Sequence, residues 1–378
     1  MTHSILENIA QFQKTVPLAE RHLQLQLPQW RATIQSNSET LLNGLSDYFG
    51  ESLISESSES RESTASADTT LLAYQTEAFV GAGQDWEDWQ REAGKQGRKD
   101  AFVDIPPDRL IYKVKTGMLF WQKRDCPLAL GPVEQHPNQI INFILTQYLN
   151  AHLRQGWQLG HAAGLQIHGH GLAIAGLSGG GKSTLMLHLL ENAEHFISND
   201  RLLFADSRLS ESAKPGELWM RGLPKQPRIN PGTIVHNPRL HDLIPAQRRA
   251  ELLNWPVDQL RQLEEKHDAD VNQLYHPNCY QPECPLHALI ILNWQADSPQ
   301  ATQLNRTTLN QRPDLLPAIM KSAGPFYADA QGHFLPNGAA LDEHPYLQML
   351  GDLPCFEIEG QIDFNAAQEQ IFEALAKI

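Results

Sequence analysis

Residues 176–184 read Gly-Leu-Ser-Gly-Gly-Gly-Lys-Ser-Thr, a run whose residue types and spacing suit the capture of a polyphosphate. It fits the pattern G-x-x-x-x-G-K-[ST], with Gly176, Gly181, Lys182 and Ser183 at the fixed positions. Glycines let the backbone curl tightly around an anion with several N–H groups turned inward. Ser178, Gly179, Gly180 and Thr184 are read with them as nucleotide contacts. Lys182 would give the outer phosphates a cation, and the Ser183 hydroxyl would be a ligand to Mg²⁺. The phosphates would then lie on the N-terminus of the following helix, where the backbone dipole favours negative charge. The cofactors implied are ATP and Mg²⁺.

The elements that must position this loop are legible on both sides of it. Before it, Gly-Leu-Ala-Ile-Ala-Gly at 171–176 is a short apolar run suited to a buried strand. After it, Leu185, Met186, Leu189 and Leu190 recur at helical spacing. Strand, loop and helix in that order are the context the motif requires.

The rest of the chain bounds the setting. Its 378 residues are enough for one large domain or two, and its apolar and charged fractions, 41% and 20%, are those of a globular protein. A net charge of −14 argues against a nucleic-acid binder that works by bulk attraction to phosphate. No secretory signal is read at Met-Thr-His-Ser-Ile-Leu-Glu-Asn, and the apolar runs are too short to cross a bilayer. Four cysteines in a chain of this length do not make a disulfide framework. Together with the need for ATP, these readings place the protein in the cytoplasm, with no membrane or nucleic-acid partner.

Along the chain, residues 22–36 alternate as a hairpin, and 38–49 read as a helix capped by Ser36 or Ser38. Residues 1–50 are therefore expected to form an N-terminal hairpin–helix module. The Ser/Glu-rich stretch 51–70 is expected to be a mobile linker, because it has too little apolar area to offset the entropy of ordering. Residues 71–378 are then one P-loop domain with its nucleotide core at about 155–300. Within it a second hairpin is read at 109–132, a helix at 137–154, and a C-terminal helix on Phe364, Ala367, Ile371, Leu375 and Ile378. Ala-Leu-Ile-Ile-Leu-Asn at 288–293 ends in an amide, so it reads as a core strand and not as an acid-bearing one.

Three further features surround the loop. His161 stands fifteen residues before Gly176. Phe-Ile-Ser-Asn-Asp at 196–200 ends in an acid eighteen residues after Lys182. The segment 220–233, Met-Arg-Gly-Leu-Pro-Lys-Gln-Pro-Arg-Ile-Asn-Pro-Gly-Thr, concentrates Arg221, Lys225 and Arg228 in an otherwise acidic chain. In this order, over about residues 155–235, the chain resembles the catalytic domain of HPr kinase/phosphorylase, a bacterial protein serine kinase whose core is related to phosphoenolpyruvate carboxykinase. The resemblance implies an α/β fold with a mixed-sheet P-loop kinase core of the HPr kinase/carboxykinase type. It implies ATP- and Mg²⁺-dependent phosphorylation of a hydroxyl, on a serine of a small acceptor protein or peptide, and it allows a homo-oligomer. It puts a catalytic histidine at His161, a metal-holding acid at Asp200 and an active-site arginine at Arg221.

One position departs from the family. Where the family has an Asp-Asp pair, this chain has Asn199-Asp200, and an amide accepts no proton at neutral pH. His161 is read as taking that role, since histidine as a residue type titrates in the right range. The alternatives are a nucleotide-binding regulator with little transferase activity, a small-molecule kinase and a carboxykinase-like enzyme. His168 and His170 are read as turn residues. His276, Cys279, Cys284 and His287 have the residue types of a zinc site, but their spacing and prolines are read as a loop that carries two thiols and no metal.

Overall fold

Alternation at His22–Leu27 (β1) and Trp30–Ser36 (β2) buries every second side chain, as a hairpin with one covered face requires. The computed structural model describes residues 2–54, 68–79, 86–91, 97–176, 180–209, 213–256, 259, 260, 263 and 265–377. The chain forms two compact units, residues 1–155 with 323–340, and residues 156–322 with 341–378. Both are mixed α/β.

In the first unit, β1 and β2 do not stand apart. They continue into an eight-stranded sheet with Thr69–Gln75 (β3), Glu87–Asp88 (β4), Asp100–Ile105 (β5), Asp108–Lys113 (β6), Met118–Gln122 (β7) and Leu128–Gly131 (β8), in the order β1-β2-β3-β8-β7-β6-β5-β4. β2 pairs in parallel with β3, which pairs in parallel with β8. The boundary expected at residue 50 therefore falls inside a sheet, and the structure places it at 155/156 instead. The ends of the expected linker are ordered: Leu53 bridges Leu25, and β3 starts at Thr69. Residues 55–67 lie outside the described residues.

Helix Thr2–Thr15 (α1) packs Ile5 and Ile9 against Tyr74, Leu119 and Leu130. Glu39–Phe49 (α2) is capped by Ser38, whose hydroxyl accepts from Leu41 N at 3.0 Å. Pro137–Arg154 (α3) has its proline in the first turn, where no N–H is missed. The return segment 323–340 joins this unit through buried Arg109, which pairs with Asp104 and donates to Pro325 O and Leu335 O. α3 is thus part of the first unit.

The second unit starts with Gln158–Gly160 (β9), Ala162–Ile167 (β10) and His170–Gly176 (β11). Next come helix Lys182–Leu189 (α4), then His195–Ser198 (β12), Leu202–Asp206 (β13), Leu218–Arg221 (β14) and Arg228–Ile229 (β15). His267–Asp268 (β16), Glu283–Pro285 (β17), Ala288–Leu292 (β18), Gln303–Thr307 (β19) and Cys355–Glu359 (β20) complete the strands. Six of them order as β12-β10-β11-β18-β20-β19, and four as β17-β14-β13-β9.

β11, β18 and β20 run parallel at the centre of the larger sheet. Leu172 and Ile174 face one core, Ala173 and Ala175 the other, which is why 171–176 and 288–292 are continuously apolar. His168 (φ 51) and Gly169 (φ 78) form the β10–β11 turn, while His170 opens β11. The C-terminal helix runs Phe364–Leu375, and Ile378 lies outside the described residues. No helix of the described residues is long and apolar enough to cross a membrane.

Candidate active site

The glycine-rich run joins β11 to α4, with Lys182, Ser183 and Thr184 in the first helical turn. Gly181 precedes that turn at φ 80, a left-handed conformation that costs a glycine little. A Cβ there would also come within 3.0 Å of the Phe364 ring. Gly180 O accepts from Trp294 Nε1 at 2.6 Å. Ser178 and Gly179, together with Leu177, lie outside the described residues.

Asn199 and Asp200 lie in the β12–β13 turn, which Ser198 closes by donating to Arg201 O at 2.6 Å. Here the structure gathers what the sequence spacing aligned. Lys182 Nζ donates to Asn199 O at 2.8 Å and stands 3.6 Å from Asp200 Oδ1. His161 Nε2 meets the same oxygen at 3.1 Å.

Lys321 Nζ stands 4.0 Å from the other carboxylate oxygen. It comes from a segment held by the Gly160–Met320 bridge and by His161 N donating to Ile319 O at 2.7 Å. Nothing in the local sequence marks Lys321, because only this long-range pairing makes it part of the group.

The electrostatics favour an anion. Burial pushes the Asp200 carboxyl up, but the hydrogen bond from His161 and the charges of Lys321 and Lys182 outweigh it and hold it far below the usual carboxylate range. Its side chain keeps 52% of its area exposed, so an ionised carboxylate is presented to solvent. Burial lowers the Lys182 ammonium despite Asp200, and the nearby charge of Lys321 lowers it further.

The basic loop passes close to the same place. Gly222 packs on the Ile197 carbonyl at the end of β12, and Thr233 Oγ1 meets Thr184 Oγ1 at 2.8 Å. Burial, with the charges of Arg201 and Arg228, pushes Lys225 down to about 8. Arg228 itself pairs with Asp268 at 3.0 Å.

Arg221 is not presented with these groups. It is 1% exposed, its guanidinium pairs with Glu283 at 2.5 Å, and it lies 4.3 Å from the Trp157 ring centroid. To meet a phosphoryl group it would have to break that pair, so its position is that of a structural cation joining β14 to β17. Glu283→Ala should lower the unfolding free energy by about 3–5 kcal/mol, because it strips a buried guanidinium of its carboxylate. A shift of the urea midpoint checks this, and a paired Arg221→Met change should recover most of it.

The cysteine–histidine run is dispersed. Cys279 packs in the core beside α4 and Cys284 in the core of the opposite face, where burial raises their thiols to about 11 and about 12. His287 Nδ1 accepts from Gly171 N at 2.9 Å. Among the described residues no three or more His, Cys, Asp or Glu side chains form a group that could hold a metal ion.

No family model matches the chain, and no curated protein matches it. Among solved structures it is similar to the HPr(Ser) kinase/phosphatase from Coxiella burnetii, with 13% sequence identity and a TM-score of 0.29, over 58% of this chain and 92% of that one.

Proposed function

We propose that this protein is an ATP- and Mg²⁺-dependent phosphotransferase that phosphorylates a hydroxyl, on a serine of a protein or peptide. One observation carries the reading: the glycine turn delivers Lys182 at a helix N-terminus beside an ionised, half-exposed Asp200. Three cationic side chains, Lys182, Lys225 and Lys321, stand near that carboxylate in a chain of net charge −14. Such local charge suits a polyphosphate.

The residues fit the implied cofactors. Gly181 leaves open the space that a Cβ would fill against Phe364, so the backbone can close on phosphates. The Ser183 hydroxyl and the Asp200 carboxylate would hold Mg²⁺, which when bound neutralises charge on the transferring phosphates. Lys182 and Lys321 would orient the outer phosphates. His161, hydrogen-bonded to Asp200, would take the acceptor proton, since Asn199 cannot. The serine acceptor rests on the resemblance of residues 155–235, and the cytoplasmic setting on the need for ATP.

A second reading, a nucleotide-binding regulator, is favoured by Asn199. Its Oδ1 is buried and has no hydrogen-bond partner among the described residues, where the transferase would need an acid–base group. Calorimetry separates both readings from a chance motif. Lys182→Ala should weaken ATP·Mg²⁺ binding by at least about 100-fold, through loss of a charge-assisted contact in a dry site, and leave the circular dichroism unchanged. Unaltered affinity in the folded variant would remove the nucleotide site altogether.

A further inference from the structure

We propose that Trp294 is a positioning residue that sets the conformation of the glycine loop through the Gly180 carbonyl, with Phe364 as its support. The effect on nucleotide affinity rests on the reading above; the effect on the loop itself does not.

The indole is rigidly framed. Asn293 N donates to Ile358 O at 2.9 Å, and Gln295 N to Gly360 O at 2.9 Å, so the backbone on either side of Trp294 is tied to the β20 end. Asn293 Nδ2 also donates to the buried Glu357 Oε1 at 2.8 Å. The Trp294 ring is buried and stands edge-on to Phe364, with centroids 5.2 Å apart and planes at 88°.

Phe364 opens the C-terminal helix. Asp363 caps that helix, accepting from Asn365 N and Ala366 N at 3.0 Å each. Asn365 Oδ1 meets His188 Nε2 on α4 at 2.8 Å. The strand end, the C-terminal helix and the helix behind the loop therefore fix one N–H donor in space.

That donor acts on two adjacent glycines, Gly180 and Gly181, a residue type with little backbone preference of its own. Trp294 Nε1 holds the Gly180 carbonyl at 2.6 Å. Because a trans peptide is planar, the Gly181 N–H must then point to the opposite side, away from the indole. Gly181 is in turn left-handed and closed in by the Phe364 ring. The two aromatic residues thus select the state in which the last glycine N–H is available to an anion. A loop that must first find this state binds more weakly by the fraction of time spent there. Nothing in the motif names either residue, because both lie more than a hundred residues downstream of it.

The test uses the full chain with Trp294→Phe, which keeps a ring against Phe364 and removes the N–H. In nucleotide-free protein, the backbone ¹⁵N order parameters of Gly180 and Gly181 should fall below about 0.6, the range of flexible backbone, because the Gly180 carbonyl loses its donor. Order parameters in β18 and the C-terminal helix should not change. The dissociation constant of ATP·Mg²⁺ should rise about five- to tenfold, the effect of one net hydrogen bond, at an unchanged thermal midpoint. Phe364→Leu, which keeps the donor and loosens its support, should show a smaller fall at the same residues, and it serves if Trp294→Phe does not fold.

Unchanged order parameters at Gly180 and Gly181 in the folded variant overturn the proposal. So does a fall spread evenly over the whole unit with a falling midpoint, which would make Trp294 a packing residue only. Should wild-type protein bind no ATP, the phosphotransferase reading fails, and the order parameters of Gly180 and Gly181 still decide the role of Trp294.

Discussion

Asp200→Ala protein should lose about 10³-fold or more in turnover while binding ADP as tightly as the wild type, or more tightly without Mg²⁺. The asymmetry follows from what surrounds the carboxylate. Asp200 is the acid that His161, Lys182 and Lys321 share, at 3.1, 3.6 and 4.0 Å. Those groups keep it ionised and ready to hold a cation. On the proposed reading, removing it would take away a metal ligand and release positive charge toward a phosphate chain. Binding would then be preserved by the cations, and transfer lost with the metal. Calorimetry with and without Mg²⁺, beside transfer from labelled ATP, measures both halves. Wild-type turnover with the same Mg²⁺ requirement would show that Asp200 is not the metal ligand.

His161→Ala should reduce transfer to the true acceptor by roughly 10²–10⁴, the usual contribution of a positioned base. The structure sharpens the reason. His161 Nε2 is on the Asp200 carboxylate, while its backbone N–H is fixed on Ile319 O, so the ring is held in place. Asn199 lies in the same turn but can accept no proton, so Asn199→Asp should preserve or raise turnover and rescue part of the His161→Ala loss. The assay tests proteins encoded beside this gene as acceptors. Undiminished transfer in His161→Ala would take the histidine out of the mechanism. Tight ATP binding with no transfer, even in Asn199→Asp, would make the protein a regulator.

The sequence by itself determined what depends on neighbours along the chain. A strand, a glycine turn and a helix are contiguous, so their order and the seating of Lys182 and Ser183 in the first turn follow from spacing alone. The runs at 171–176 and 288–292 declared themselves buried strands because a strand covered on both faces has no polar side to show. The hairpin of β1 and β2 and the Ser38 cap of α2 were local for the same reason.

Tertiary structure alone decided which distant segments meet. Alternation states that a strand has a covered face but not which strand lies beside it, so the hairpin reads alone as a separate module; the partner of β2 is β3. Arg221 was expected in the active site from its motif. Its charge is instead held by Glu283, 62 residues away, a pairing no local pattern encodes. Lys321 and Trp294 reach the loop only through a bridge to Gly160 and through the end of β18. A local pattern fixes backbone geometry over a few residues. The groups that charge and shape this site arrive by sheet order and register, which are set by burial of the whole unit.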